Sequence, residues 1–159
     1  MHTAVIFCDK IVSFVVYKQK NMNPKDEQVD LTAGQVSYLA DRRLFSIVVA
    51  PTKISAVEAA EFKTTIRAMA KAQEQPIYAL FDIRKIKGFS KDGRDYFAHD
   101  PKPMGRSAAI LVGLGISRIV ANFMLGMNKP PYPIKAFSNR EKALDWLESQ
   151  REKIDPDYS

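Results

Sequence analysis

The segment spanning residues 84–94 contains residue types that commonly bind anions in proteins. Its candidate residues are Arg84, Lys85, Lys87, Gly88, Ser90, Lys91, Asp92, Gly93 and Arg94. A helix is predicted to begin near the end of this loop, and a helix N-terminus presents free N–H groups and a partial positive charge. The loop is therefore a candidate site for a phosphate, another anion or a partner. The alternative is a solvated loop in which the serine caps the helix.

The residues that commonly carry catalysis are few and isolated. His2 lies at the N-terminus, and His99 has one neighbouring carboxylate, which is too few ligands for a metal site. Ser107 and Ser117 lack the flanking pattern of a catalytic nucleophile, and Cys8 lies in an apolar segment that favours a buried, inert thiol. We therefore expect a protein that is not an enzyme and that uses neither a metal nor a cofactor.

A second candidate surface lies between residues 116 and 133. A predicted helix and the proline-rich turn after it hold aromatic and flexible apolar residues, namely Phe123, Met124, Leu125, Met127 and Tyr132. Methionine-rich surfaces adapt to protein partners or to lipid chains. Because the three consecutive residues of this set cannot share one helix face, at least one of them is expected outside the core. The alternative is that most of the set packs in the core.

Composition limits the class of protein. The chain has 159 residues, of which 46% are hydrophobic and 26% charged, as expected for one soluble domain over residues 1–159. No apolar run approaches the roughly 20 residues of a transmembrane segment. The net charge of +6 is a modest surplus, and no basic block interleaves with aromatic residues, so nucleic acid is not an expected partner. One cysteine fits a cytoplasmic location.

The first third of the chain predicts strands and a loop. Residues 5–17 are rich in Val, Ile and Phe and predict strand structure, with a turn at Asp9 and Lys10. Residues 18–34 are polar, contain a proline and predict a loop. Residues 35–39 and 44–50 predict a hairpin. We thus expect an N-terminal strand region and loop (1–34), a core (35–150) and a polar tail (151–159).

Strands and helices alternate from residue 44 onward. Ser55 and Glu58 match a capping box and predict a helix to about Gln73. The remaining predicted elements are strands at 77–83, 107–113 and 134–137, and helices at 91–99, at 116–127 and after a second capping-box match at Ser138 and Glu141. Strands joined through helices form a largely parallel sheet with helices packed on it. The sequence therefore predicts an α/β fold whose early strands extend one edge of the sheet in antiparallel fashion.

Five segments occur in the order ISAVEAAEF, ALFDIRKIKGFSKDGRDYF, AAILVG, SRIVANFMLGMNKPPYPIKAF and SNREKALDWLE. In order and spacing, residues 44–150 resemble the SpoIIAA-like branch of the STAS superfamily, which is structurally related to the lipid-binding lobe of CRAL-TRIO proteins. The resemblance implies a mixed, mostly parallel sheet in a module without a cofactor. It also implies a protein partner, including a second copy in a homodimer, or a lipid or small apolar ligand.

The regulatory turn of that family reads Asp-Ser-Ser-Gly and carries a phosphorylatable serine. The matching residues here are Ser90, Lys91, Asp92 and Gly93, so no serine occupies the switch position. The carboxylate of Asp92 either imitates a permanently charged state or favours the helix dipole. We expect a non-enzymatic STAS-like regulatory or protein-interaction module. The alternatives are a lipid or apolar-ligand binding domain and an anion- or nucleotide-binding regulator that uses the 84–94 loop.

Overall fold

The computed structural model describes residues 28–99, 104–126 and 132–158. Within these ranges the strands are β1 (Gln28–Leu31), β2 (Gly34–Leu39), β3 (Leu44–Val49), β4 (Lys53–Ile54), β5 (Tyr78–Asp82), β6 (Gly88–Phe89), β7 (Ser107–Leu111) and β8 (Ile134–Phe137). The helices are α1 (Ala56–Gln73), α2 (Lys91–His99), α3 (Ile116–Gly126) and α4 (Arg140–Ile154). A short 3-10 helix, Pro156–Tyr158, follows α4. The strands predicted in residues 5–17, the loop at 18–27 and most of the proline-rich turn lie outside the described residues.

A six-stranded sheet organises the fold. Its strand order is β1-β2-β3-β5-β7-β8. β1, β2 and β3 are antiparallel neighbours, whereas β3, β5, β7 and β8 run parallel to one another. The predicted α/β fold with antiparallel strands at its N-terminal edge is confirmed. Because the parallel strands end at the same edge, the loops that follow β5 and β7 lie side by side.

The two faces of this sheet carry separate apolar clusters. Along β5, Tyr78 and Leu80 point to one face, where they pack with Leu144 and Leu147 of α4. Ala79 of β5 belongs to the opposite cluster, to which α1 and α3 also contribute. This alternation is the period of two expected for a strand that is covered on both sides. The continuous apolar pattern of residues 77–83 has its explanation in that double burial.

Helix α1 has the boundaries that its capping box predicts. The backbone N–H of Ser55 donates to Glu58 Oε2 at 2.6 Å, and the serine side chain caps the first turn in return. Phe62, Ile66 and Met69 follow at helical spacing and are buried. A capping box satisfies two backbone donors that the helix leaves unpaired. Helix α1 is therefore fixed at its start by residues that the sequence reveals.

Two boundaries differ from the sequence prediction. The segment predicted to be a loop at residues 18–34 contains β1, whose Val29 is 1% exposed and whose backbone pairs with β2. The N-cap of α4 lies one residue later than predicted: it is Asn139, and not Ser138, and its side chain accepts a hydrogen bond from the backbone N–H of Lys142 at 3.0 Å. An Asn carboxamide and a Ser hydroxyl are comparable caps, so the residue type did not decide between them.

The predicted polar tail also needs correction, because α4 continues to Ile154. Arg151 is buried and donates a hydrogen bond to the carbonyl oxygen of Arg42. Arg42 in turn forms ion pairs with Glu141 and Asp145 of α4, at 2.8 and 3.2 Å. Residues 151–154 therefore belong to helix α4, which Arg151 joins to the turn between β2 and β3.

Candidate functional site

The loop after β5 begins with an ion pair at the edge of the sheet. Asp82 is buried, and its carboxylate accepts two hydrogen bonds from the Arg84 guanidinium, at 2.9 and 2.8 Å. Burial raises the pKa of Asp82, but the hydrogen bonds and charge of Arg84, with a contribution from Arg140, outweigh it and lower the pKa below its ordinary value. The charge of Arg84 is therefore largely committed to this carboxylate.

The middle of the same loop is held by a second, two-stranded sheet. β6 pairs in parallel with β4, so that Gly88 lies opposite Lys53. The backbone N–H groups of Lys87 and Ser90 donate to the carbonyls of Thr52 and Ile54, at 2.9 and 3.1 Å. These bonds extend the pairing by one residue at each end. The loop is thereby fastened to the chain segment that leads into α1.

Helix α2 begins with a cap that also reaches helix α1. The hydroxyl of Ser90 accepts from the backbone of Gly93 at 3.3 Å and donates to Asp92 Oδ1. The other carboxylate oxygen of Asp92 accepts from the backbone of Ala56, the first residue of α1, at 3.3 Å. The hydrogen bond from Ser90 and then the one from Ala56 lower the pKa of Asp92. One carboxylate therefore serves two helix N-termini.

The candidate anion loop thus carries its own anion. Asp92 stands at the helix start where the sequence suggested a bound phosphate, and its negative charge opposes a second anion there. Gly93 explains the close approach of the two helix starts, since a Cβ on it would lie 2.3 Å from the Ile54 carbonyl oxygen. Arg94 donates to the Phe89 carbonyl at 3.0 Å. Most polar groups of this turn therefore hold the fold together.

Three lysines of the loop remain directed to solvent. Lys85, Lys87 and Lys91 are exposed and form no ion pair with another described residue. Ile86, between the first two, is buried in the core. That alternation places Lys85 and Lys87 together on the outer side of the loop. With Lys91, they are the cationic groups of the predicted site that stay available for a partner.

Of the five residues of the predicted apolar surface, the structure describes the side chains of Leu125 and Tyr132. Leu125 is half-buried and packs against the core formed with α1. Tyr132 is half-buried near Met104, before β7 and β8 begin, and burial raises the pKa of its hydroxyl against an opposing backbone hydrogen bond with Met104. The side chains of Phe123 and Met124, and all of Met127, lie outside the described residues.

A different set of apolar residues is exposed. Leu114, Ile119 and Ile116 are 89%, 69% and 52% exposed, at the start of α3 and in the loop before it. Val120 and Ala121 are buried, whereas Ile119, the residue before them, is not. Helical spacing alone does not separate these residues, because Ile116 lies three residues before the exposed Ile119 and four before the buried Val120.

The exposed apolar residues adjoin the lysine-bearing loop. Asp82 of β5 and Leu111 of β7 are in register, and the Ile83 N–H donates to the Leu111 carbonyl at 3.1 Å. Two residues further on, a Cβ on Gly113 would lie 3.9 Å from the Cβ of Arg84. Helix α3 also contacts β6. We call Leu114, Ile116 and Ile119, with Lys85, Lys87 and the exposed Arg118, the apolar–basic surface.

The backbone of the turn before α3 holds Leu114 in an exposed position. Gly115 has a φ of 78°, a left-handed conformation that favours glycine. The Gly113 N–H donates to the buried Ser117 hydroxyl at 2.9 Å, which closes the turn before α3. Leu114 lies between these two glycines. The turn is therefore fixed by hydrogen bonding and backbone conformation while its leucine extends into solvent.

A shallow groove at the opposite edge of the sheet has a structural explanation. The Tyr78 hydroxyl donates to Asp155 at 2.5 Å, and Arg106 forms an ion pair with the same carboxylate at 3.1 Å. Burial, followed by the bond to Asp155, raises the pKa of Tyr78. Ile77 and Tyr158 line the groove beside this cluster. The cluster fastens the end of α4 to the sheet.

The described part of the chain offers no catalytic constellation that we recognise. Ser107 donates to the Pro133 carbonyl at 3.0 Å, Ser117 accepts from backbone, and the His99 ring is paired with the Asp95 carbonyl at 2.9 Å. No group of three His, Cys, Asp or Glu residues suited to a metal ion occurs in the described ranges. Every helix in those ranges falls short of the length or apolar character needed to cross a membrane. Cys8 and His2 lie outside them.

Comparisons with known proteins agree with this architecture. Residues 38–151 match a family described as a domain of unknown function (DUF7793). An uncharacterized protein of the DUF3478 family from Shewanella loihica PV-4, described as having a SpoIIAA-like fold, is 15% identical, with a TM-score of 0.50 over 77% of this chain and 91% of that one. The fold resemblance to SpoIIAA is thereby confirmed. Among curated proteins, none matches this sequence.

Proposed function

This chain belongs to the family described as a domain of unknown function (DUF7793), and from that premise we propose that it is a non-enzymatic binding module. Its contact site is the apolar–basic surface beyond β5 and β7. A second copy of the chain, another protein or a lipid surface would each cover such a surface. We propose that these residues form the contact, whichever of the three partners binds them.

One observation carries the proposal, namely three neighbouring aliphatic side chains that the fold leaves in solvent. Leu114, Ile116 and Ile119 are each more than half exposed. Single exposed apolar residues are common, but a contiguous group often marks a site of interaction. Burying one Leu or Ile side chain is favourable by about 1.5–3 kcal/mol. A partner that covers this group therefore gains a substantial part of the free energy that association requires.

The polar groups of the neighbouring loop support a binding role over a chemical one. Asp82 is paired with Arg84, and Asp92 with Ser90 and the start of α1. A general acid, a general base or a nucleophile must be able to reach a reacting atom. In this loop the carboxylates and the hydroxyl instead satisfy groups of the chain itself. The exposed lysines can attract a partner by their charge, but neither carboxylate of this loop is free to act with them as a catalytic base.

Site-specific photo-crosslinking in native cells tests the proposal without assuming the partner. A photoreactive amino acid replaces Ile119, and a control replaces Glu152, which is exposed on α4 at the other face of the sheet. We expect discrete crosslinked products, either protein or lipid, from position 119 and few from position 152. Equal labelling at both positions, or none at either, would contradict a contact role for the surface.

A further inference from the structure

The apolar–basic surface has the composition of a membrane-contacting surface more than that of a protein interface. Protein interfaces are depleted in Lys, and their energetic centres are enriched in Trp, Tyr and Arg, whereas Leu is under-represented there. Here the apolar centre is one Leu and two Ile, and two of the three cations are Lys. Surfaces that bind anionic membranes combine aliphatic side chains with Lys and Arg. The residue types therefore favour a lipid surface.

The shape of the surface supports the same partner. Leu114 and Ile119, the most exposed aliphatic residues of the surface, protrude from a turn and from the first helical turn after it. A protein partner would have to supply a pocket for each protruding side chain. A bilayer needs no such pocket, since the boundary between headgroups and acyl chains accepts aliphatic groups of any outline. The protruding side chains of Leu114 and Ile119 are therefore suited to insertion into a bilayer.

The charge of the surface matches an anionic headgroup layer. Lys85, Lys87 and Arg118 are exposed and form no ion pair with another described residue. The carboxylate of Asp82, at the base of the same loop as the two lysines, is buried and paired with Arg84. The adjoining loops after β5 and β7, with the start of α3, thus combine charge that attracts phosphate groups with side chains that have affinity for apolar chains. These two properties complement the two layers of a membrane leaflet.

We propose that the apolar–basic surface binds the anionic face of a lipid bilayer, with Leu114 and Ile119 entering the boundary between headgroups and acyl chains. Lys85, Lys87 and Arg118 then lie at the level of the lipid phosphates. This inference rests on the proposed function, because it names the partner of the same surface. The protein lies on the membrane by this contact and does not span it.

Vesicle co-sedimentation tests the inference. The probes are vesicles of phosphatidylcholine alone and of phosphatidylcholine mixed with phosphatidylglycerol, at low and at physiological salt. We expect binding to the mixed vesicles that weakens as salt rises, and little binding to phosphatidylcholine alone. Equal binding to both kinds of vesicle, or binding to neither, would overturn the inference.

Paired variants locate the contact on the protein. Leu114→Asn with Ile119→Asn is expected to lower partition into mixed vesicles at least about tenfold, because the inserted aliphatic area is lost. Lys85→Gln with Lys87→Gln is expected to lower it by about 30-fold at low salt, since each cation near an anionic surface contributes about fivefold. All four residues are exposed, so thermal melting should remain unchanged.

Matched controls use the same residue types on other surfaces. Val57→Asn removes an aliphatic side chain that is 54% exposed on α1, and Lys142→Gln with Lys153→Gln removes two exposed lysines of α4. Both controls should bind mixed vesicles like the unaltered protein. Control losses as large as those of the surface variants would mean that net charge or general hydrophobicity, and not this surface, is responsible, which overturns the inference.

The two proposals fail separately. If vesicles are not bound but crosslinking from position 119 yields a discrete protein product, the lipid inference is wrong and the binding module stands. If position 119 also crosslinks no more than position 152, both proposals are wrong. Lipid products from position 119 together with salt-sensitive vesicle binding support both.

Discussion

The loops after β5 and β7 leave the same edge of the sheet and differ in how their side chains are satisfied. In the first, Asp82, Ser90 and Asp92 all bond to groups of the chain itself. In the second, Leu114 and Ile119 extend into solvent. The first loop, which is rich in reactive residue types, therefore mainly stabilises the fold, and the second loop, which has few polar residues, exposes side chains to a partner. The residue types in a loop alone do not show which of these two roles it has.

The variant with the largest expected effect tests whether the first loop stabilises the fold. Gly93→Ala would place a Cβ 2.3 Å from the Ile54 carbonyl oxygen. That oxygen is backbone and accepts from the Ser90 N–H, so it cannot move aside without loss of the bond. We expect a loss of about 3 kcal/mol in the free energy of unfolding, at the upper end of overpacking effects. Denaturant unfolding followed by circular dichroism measures it.

A glycine in open surroundings provides the control for that variant. Gly126 ends α3, and a Cβ on it would meet no atom within 4 Å. Gly126→Ala should change the free energy of unfolding by less than about 1 kcal/mol, because alanine favours a helix and nothing obstructs it. If Gly93→Ala were equally mild, the two helix starts would be less tightly joined than the Asp92 bridge indicates.

Regular elements with one dominant signal could be predicted from the sequence. Ser55 and Glu58 predict the start of α1, and Pro76 predicts that the helix ends before it. The apolar residues 77–83 predict a strand that is covered on both faces. β1 has no such signal, because a strand of four residues, QVDL, offers a single buried apolar side chain, Val29. It is held by pairing with β2, and pairing depends on a neighbour that local sequence does not reveal.

The exposed surface was missed for a related reason. Helix α3 is apolar on more than one side, since Ile116, Ile119, Val120 and Ala121 occur within six residues. Periodicity shows the faces of such a helix but does not tell which of them the sheet covers. That choice follows from the crossover between β7 and β8. The hydrogen bond between Asp92 and the backbone of Ala56 could not be predicted either, because the two residues lie 36 positions apart in the sequence.

A smaller effect is expected from the ion pair at the base of the first loop. Asp82→Asn keeps the shape of the side chain but removes the charge that binds Arg84, and we expect a loss of about 2 kcal/mol at neutral pH. Arg84→Gln should cost less than Asp82→Asn, because Arg84 is half exposed whereas Asp82 is buried. The double variant should lose less than the sum of the two single losses, because the residues act as a pair.

The pH dependence provides a second measurement on the same pair. The folded-state pKa of Asp82 lies below the ordinary value of about 3.9. At acidic pH the unfolded chain therefore binds more protons at this group than the folded chain does. The stabilisation is complete above the unfolded pKa and is lost as the pH falls through the folded pKa. Below about pH 4 the unaltered protein should lose stability more steeply than Asp82→Asn, and parallel curves would contradict this role.

The smallest expected effect belongs to the second loop, and it bears most directly on the contact surface. Ile119→Ser should change the free energy of unfolding by no more than about 0.5 kcal/mol, because the side chain is mostly in solvent and serine and isoleucine have similar helix propensities. Val120→Ser, the next residue, buries a hydroxyl and leaves a cavity, and should cost about 2–3 kcal/mol. Thermal and denaturant unfolding of the two variants compare them under one set of conditions. A cost at Ile119 that equals the cost at Val120 would mean that Ile119 packs within its own chain, and a residue so used could not contact a membrane.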